Sequence, residues 1–229
     1  MLQKTMLIEE AYQKIKNMIL NQELAPGRKL TYNELASSFH MSPTPVINAL
    51  HRLQHEGLVS SAPFRGFCVK KIELDEAWDL FGIREALETY MVEQAIVLAE
   101  RKDMFLLEER FAEHASYRPK VYDRRRFMLD SAFHLQLASI ARNQLLSRQL
   151  ATTLEHFYVR FRFDTMSLER LESSVEEHRQ IIDRIKRKDI NGSREAMRNH
   201  IQNARNHIIQ TLSEENVSDR VSVGPGSKR

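Results

Sequence analysis

Cysteine is almost missing from this chain: Cys68 is the one thiol among 229 residues. A lone thiol cannot close an intramolecular disulfide, so the fold must be held by its core, and a reducing compartment suits it. Glycine and proline are also scarce, at 7 and 6 residues, which excludes collagen-like and low-complexity classes and favours helix. Glycine is absent between Gly82 and Gly192, so a phosphate-cradling glycine loop has no material there. No window approaches the roughly 20 consecutive apolar residues of a membrane span. The first residues, Met1-Leu2-Gln3-Lys4, lack the apolar stretch of a secretory signal. These absences point to a cytoplasmic globular protein. A formal net charge of +3 is too small to demand a polyanionic partner, so charge placement has to decide that. The length, with 42% apolar and 28% charged residues, suits two ordinary domains.

What is present begins with helical spacing at Leu7, Ala11, Ile15, Met18 and Ile19, closed by Ala25-Pro26-Gly27. Thr31 and Glu34 have the spacing of a capping box, which starts a second helix from Tyr32 to Phe39. Ser42 offers an N-cap with Pro43 at the first helical position, where its missing N–H costs nothing. A third helix then runs to about His55, burying Val46, Ala49, Leu50 and Leu53, and Gly57 stands where a left-handed C-cap would end it. Residues 58–61 and 67–70 read as two strands around a Pro- and Gly-containing loop.

This order of elements is that of a winged helix-turn-helix. Its third helix enters a major groove only if its outward face is small, polar or basic. That face carries Thr44, Asn48, His51, Arg52 and His55. Asn48 has the fork to pair with adenine, Arg52 reaches guanine or a phosphate, and the Ser42 hydroxyl suits a phosphate oxygen. Arg65, at the wing tip, suits a minor groove. Pro26-Gly27-Arg28-Lys29-Leu30, Glu34-Leu35-Ala36, Ser42-Pro43-Thr44-Pro45-Val46, Ala49-Leu50-His51-Arg52-Leu53, Glu56-Gly57-Leu58-Val59 and Arg65-Gly66 together resemble the GntR family of regulators over residues 7–72. The resemblance implies that Arg28 and Gly66 join the DNA-facing set. The chain departs from the family pattern at Pro43 and Ile47, where arginine is usual, and at Asn48, where glutamate is usual, so an atypical operator is expected.

After the polar connection at residues 71–75, helix signals dominate, and six helices are expected at about 75–99, 101–116, 121–142, 144–163, 168–188 and 191–214. The fold expected is mainly α: a winged helix-turn-helix over residues 1–72, an all-helical effector and dimerisation domain over 73–214, and a disordered tail over 215–229. The runs Arg124-Arg125-Arg126 and Lys186-Arg187-Lys188 read as solvated faces without a role.

Asp130 and His134 are four residues apart, so both leave one helix in the same direction and can grip one ion. His178 and His200 lie in apolar helical stripes, where a satisfied core histidine is the plainer reading of either alone. Asp130-Ser131-Ala132-Phe133-His134, Asn143, Glu177-His178-Arg179, Asp189, Met197 and His200 are similar to the C-terminal domain of the FadR subgroup of the same family, over residues 78–213. That similarity implies a divalent metal held by Asp130, His134, His178 and His200. Three imidazoles and a carboxylate suit zinc first, then nickel, manganese or iron. It also implies that Arg84 holds the carboxylate of an effector, although an i,i+4 ion pair with Glu88 explains Arg84 too. His207 is a substitute ligand by position, and an exposed histidine by the plainer reading.

The function expected is therefore a sequence-specific DNA-binding regulator, a repressor, acting as a homodimer whose operator affinity answers to a small carboxylate. Two other classes compete. A metal-dependent hydrolase or lyase with a DNA-binding appendage lacks a placed proton-transfer partner, and a constitutive DNA-binding protein with a structural metal would answer to no effector.

Overall fold

Turn chemistry cuts the first 72 residues into short elements that can only bury their apolar faces together. The computed structural model describes residues 2–21, 23–62, 66–121, 123–161 and 166–222. It divides into two compact units, Met1–Ile72 with Glu155–Arg162, and Glu73–Leu154 with Phe163–Arg229. The single break expected between 72 and 73 therefore omits residues 155–162, which belong to the first unit.

In the first unit, α1 spans Leu2–Leu20, α2 Tyr32–Phe39 and α3 Pro43–His55, with β1 at Lys29–Leu30, β2 at Val59–Ala62 and β3 at Gly66–Val69. The expected hairpin is β2 and β3, paired antiparallel from Val59↔Val69 to Ala62↔Gly66. The strand β1 was not expected: two residues carry no periodicity, and pairing of Lys29 with Cys68 and Leu30 with Phe67 makes it, giving the order β1-β3-β2. Gly27, at φ +84°, makes that approach possible, and its N–H donates to the Val69 carbonyl at 2.8 Å. Ile15, Ile19, Val46, Leu50, Leu53, Leu58 and Val69 fill the core with Val159, from residues 155–162. Each of these large side chains contributes roughly 1.5–3 kcal/mol on full burial.

The expected ends of α3 hold, with Ser42 as N-cap, Pro43 first in the helix, and Gly57 following the C-cap Glu56 at φ +73°. The capping bonds do not: neither Thr31 nor Ser42 makes a side-chain cap hydrogen bond, so the Thr31–Glu34 spacing marks the helix start without the reciprocal bonding.

The second unit is helical: α4 Leu74–Leu98, α5 Arg101–Ser116, α6 Arg124–Ile140, α7 Gln144–Arg160, α8 Leu168–Lys186 and α9 Ile190–Ser222, with the last turns of α7 assigned to the first unit. Six helices were expected here. The helix α9 runs eight residues beyond the expected end at 214 and through the start of the expected tail; residues 223–229 lie outside the described residues. Side chains set the boundaries. Asp123 accepts from the Arg126 N–H at 2.8 Å, Glu100 and Asp103 form a capping box, Ser167 caps α8, and Asp189 accepts from the Gly192 N–H at 2.9 Å. Asn143 accepts from the Leu146 N–H at 3.1 Å, so two of the residues that carried the family resemblance are helix caps.

One expectation about charge fails inside this unit. Arg126 is not solvated: it is fully buried at 0% exposure, and its guanidinium donates to the carbonyls of His114, Tyr117 (3.1 Å) and Leu171 (3.2 Å). Five donors on a rigid fork can satisfy several carbonyls at once, which lets a helix-end charge become an interior clamp.

Candidate functional site

The outward face of α3 presents Thr44, Asn48, His51, Arg52 and His55, all exposed, because the apolar spacing of Val46, Ala49, Leu50 and Leu53 turns the opposite face inward. Ser42 is exposed at the helix start. The Asn48 amide donates back to the Thr44 carbonyl at 2.8 Å, and His51 meets the Phe67 ring edge-on at 5.2 Å. Arg28 is exposed and donates to the Glu23 carbonyl at 2.6 Å. Gly66 is exposed at φ +78° at the start of β3; Arg65 lies outside the described residues.

Arg52 departs from the expected picture. Instead of extending from the helix alone, its guanidinium donates to Glu9 of α1 at 2.5 Å and stacks 3.7 Å over the Tyr12 ring. Tyr12 in turn donates to Glu56 at 2.8 Å. Lys16 lies 3.5 Å from Glu56 and 2.8 Å from Glu155. The arginine is held by a carboxylate and a ring, at a side-chain exposure of 46%.

In the second unit, the four expected ligands come together. Asp130 and His134 leave α6, His178 leaves α8 and His200 leaves α9; all four are buried, with one donor atom from each inside 4.8 Å of the others. The Nε2 of His200 is 3.2 Å from that of His134 and 3.3 Å from that of His178. The two Asp130 oxygens stand 3.5 Å from His178 Nε2 and 3.6 Å from His134 Nε2. Bonds of about 2.1 Å at tetrahedral angles put neighbouring donors roughly 3.4 Å apart, so these separations suit one shared ion.

The second layer strengthens that fit. Glu88 of α4 lies against His134 Nδ1, and Glu177 faces His200 Nδ1 at 2.7 Å. Burial pushes the Glu88 carboxyl up, but Arg84 and His134 beside it outweigh burial and hold it down to about 2. Glu177 is likewise lowered: His200 and Arg170 overcome its burial. Ionised carboxylates only accept, so both Nδ1 atoms must donate, and in the tautomer that leaves each Nε2 unprotonated the two Nε2 lone pairs face each other. Two lone pairs facing each other at 3.2 Å need a cation or a proton between them. A proton there is disfavoured, because burial lowers His200 against the opposing Glu177 bond, and burial with the neighbouring histidines drives His178 well below its ordinary value. Burial also opposes ionisation of Asp130, and His134, His114 and His200 reverse that, leaving it well below the usual carboxylate range.

Arg84 is buried at 3% exposure and donates from Nε to Glu88 at 2.7 Å. Its ion pair with Glu88 is real and serves the site, since Glu88 orients His134. The Arg84 Nη2 has no hydrogen-bond partner among the described residues. His207 stands apart from the cluster, half-buried, where its Nε2 accepts from the Ser167 N–H at 3.3 Å.

Two residues of this centre were not singled out in the sequence. Glu88 was treated only as a partner of Arg84. His114, at the end of α5, is 1% exposed with its Nε2 3.6 Å from Asp130 and its ring 4.9 Å from that of His178. Burial pushes it down to about 3, helped by Arg126 and nearby histidines and opposed by Asp130. Its segment, Arg110-Phe-Ala-Glu-His114, has no local signal of a site.

No described helix is long and apolar enough to cross a membrane. Residues 7–69 match the pattern of "Bacterial regulatory proteins, gntR family", and residues 79–203 match that of the FCD domain. A regulator in an unstable DNA locus of Streptomyces ambofaciens is 30% identical over 200 residues, covering 84% of this chain and 81% of that protein. The HTH-type transcriptional repressor RspR of Escherichia coli is 27% identical over 212 residues, covering 90% of each. The solved structure of E. coli McbR/YncC has the same fold, with a TM-score of 0.70 at 22% identity, covering 92% of this chain and 98% of that one. A winged helix-turn-helix followed by a helical bundle is thus the arrangement of a known group, and the chain belongs to the GntR family of DNA-binding transcriptional regulators, with an FCD effector-binding domain.

Proposed function

We propose that this regulator is a repressor that binds a near-palindromic operator as a homodimer in the cytoplasm, and that a small carboxylate bound at a divalent ion changes its operator affinity. The observation that carries the reading is the facing of His134 and His200 through Nε2 while their Nδ1 atoms are committed to Glu88 and Glu177. Asp130, His134, His178 and His200 would hold the ion, with zinc first among zinc, nickel, manganese and iron for three nitrogens and an oxygen. When bound, such an ion attracts a carboxylate oxygen to its remaining positions. Arg84, whose Nη2 has no described partner, supplies a donor beside it.

On the DNA side, the proposed contacts are Thr44 and Asn48 for bases, Ser42 and Arg28 for phosphates, and Arg65 with Gly66 for the wing. Arg52 joins them only after leaving Glu9. An effector acts by binding one population of the dimer better than another, so its leverage on DNA equals that difference in affinity. The helix α7 is a covalent route for it, since it begins in the second unit and carries Val159, in its last turn, in the core of the first.

The test is selection of genomic fragments by the metal-loaded protein, followed by binding titrations of the recovered fragment with and without short carboxylates. The expected result is an enriched sequence whose affinity shifts several-fold with one class of carboxylate only when the ion is present. An enriched sequence with no response from the loaded protein would mean a structural metal in a constitutive DNA-binding protein.

A further inference from the structure

We propose that His114 is a positioning residue of the metal centre, whose ring N–H fixes the rotation of the Asp130 carboxylate. The inference rests on the metal reading above. The Asp130 carboxylate has His134, His178 and His114 within ion-pair distance. The first two belong to the donor group, whose atoms all lie within 4.8 Å of one another; His114 does not join that group. It therefore touches the carboxylate without competing for the ion. Its Nε2 is 3.6 Å from Asp130 Oδ1, the same oxygen that lies 3.5 Å from His178.

The placement of His114 is itself enforced. Arg126 donates to the His114 carbonyl and to the Tyr117 carbonyl, tying the last turn of α5 to α6, and it reaches Leu171 of α8 with its other nitrogen. The His114 ring packs tilted against that of His178 at 45°. Both ring nitrogens are buried without a hydrogen-bond partner among the described residues, which an apolar side chain of similar size would avoid. At 3.6 Å the contact is an ion-range approach to Oδ1, not a hydrogen bond, and outer-layer groups this close to a ligand carboxylate orient it in metal sites generally.

The experiment titrates the full-length, ion-free protein with cobalt(II), comparing wild type with His114→Leu, His114→Phe and His114→Gln, and reads both affinity and the visible d–d bands. The bands report the donor geometry, which a residue with only a packing role would leave unchanged. Either apolar variant is expected to bind cobalt about 10–100-fold more weakly with shifted bands, while its ion-free melting temperature does not fall. His114→Gln, which restores an N–H, is expected to recover most of the affinity and the wild-type bands. Two apolar variants are used so that one folding failure does not remove the test. Wild-type affinity and bands in the apolar variants would overturn this inference alone, as would equal weakening in His114→Gln. Wild-type protein that takes up no cobalt would overturn the metal reading and this inference with it.

Discussion

The recognition face of α3 and the histidine cluster are built in opposite ways. Every side chain on the first comes from the 13 residues of one helix and is exposed, and the Asn48 amide bonds back within the helix to Thr44. The second draws its donors from α6, α8 and α9 and its supports from α4, α5 and α8, and almost no part of it meets solvent. An exposed face can change one residue at a time, because water replaces whatever is lost. A buried cluster cannot, since every remaining group keeps its charge or its unpaired atom in a medium that does not solvate it. The departures at Pro43, Ile47 and Asn48 fall on the tolerant side of that divide, whereas all four expected ligands are intact on the other.

The largest break in this contrast is expected at Glu88. Glu88→Gln removes the charge that pairs with Arg84 and turns one of the two oxygens that serve Arg84 and His134 into an amide donor, leaving the Arg84 guanidinium buried beside an uncharged amide. Breaking one partner of a buried pair costs about 3–5 kcal/mol, and loss of the Nδ1 acceptor weakens metal binding about 10–100-fold. Urea unfolding and zinc titration read the two effects separately. A variant as stable as wild type would show that Glu88 and Arg84 are independently solvated, which would remove the basis of the contrast.

The next effect is one of pH. In the ion-free protein His114 is held at about 3 against an ordinary 6.5. Its folded value lies below its unfolded one, so the folded chain refuses a proton that the unfolded chain accepts. The stability contribution is complete above pH 6.5 and is lost as pH falls from there toward 3, by about 1.4 kcal/mol per pH unit for that one proton. His178 is shifted in the same direction and adds to the slope. Replacing His114 by Leu should therefore flatten the stability profile between pH 6 and 4 by about that amount. An unchanged slope in urea titrations across that range would mean that His114 is reached by protons in the folded state.

The same contrast explains what the sequence revealed. Helix periodicity, Pro43 and Gly57 gave α3 and its outward face, since both depend on residues within a few positions. The hairpin was legible for the same reason, but β1 was not: two residues become a strand only because β3 lies beside them. In the second unit, spacing paired Asp130 with His134 on one helix, while their meeting with His178 and His200 came from resemblance. Sequence alone carries no distance between α6, α8 and α9. The supports were less visible still. Arg126 sits in a triplet of arginines that looks solvated, and only the packing of α6 against α5, together with the reach of Arg126 to α8, exposes it as interior. His114 gives no signal until Asp130 is seen beside it.

The smallest effect sharpens the comparison from the exposed side. Arg52 was expected to reach DNA, yet it is shared between Glu9 and Tyr12. An exposed ion pair of this kind adds little to stability, so DNA phosphates can compete for the guanidinium. Glu9→Gln removes the competing carboxylate while leaving the Tyr12 ring and the helix untouched. Protein stability should be unchanged within measurement error, because the pair is solvent-screened. Operator affinity at low salt should rise, and the plot of log affinity against log salt should steepen by up to about 0.9 if Arg52 gains one phosphate contact. The same slope in Glu9→Gln and wild type would mean either that Arg52 reaches its phosphate despite Glu9 or that it never leaves Tyr12. Arg52→Ala separates these outcomes, because its slope falls by up to about 0.9 in the first case and stays fixed in the second.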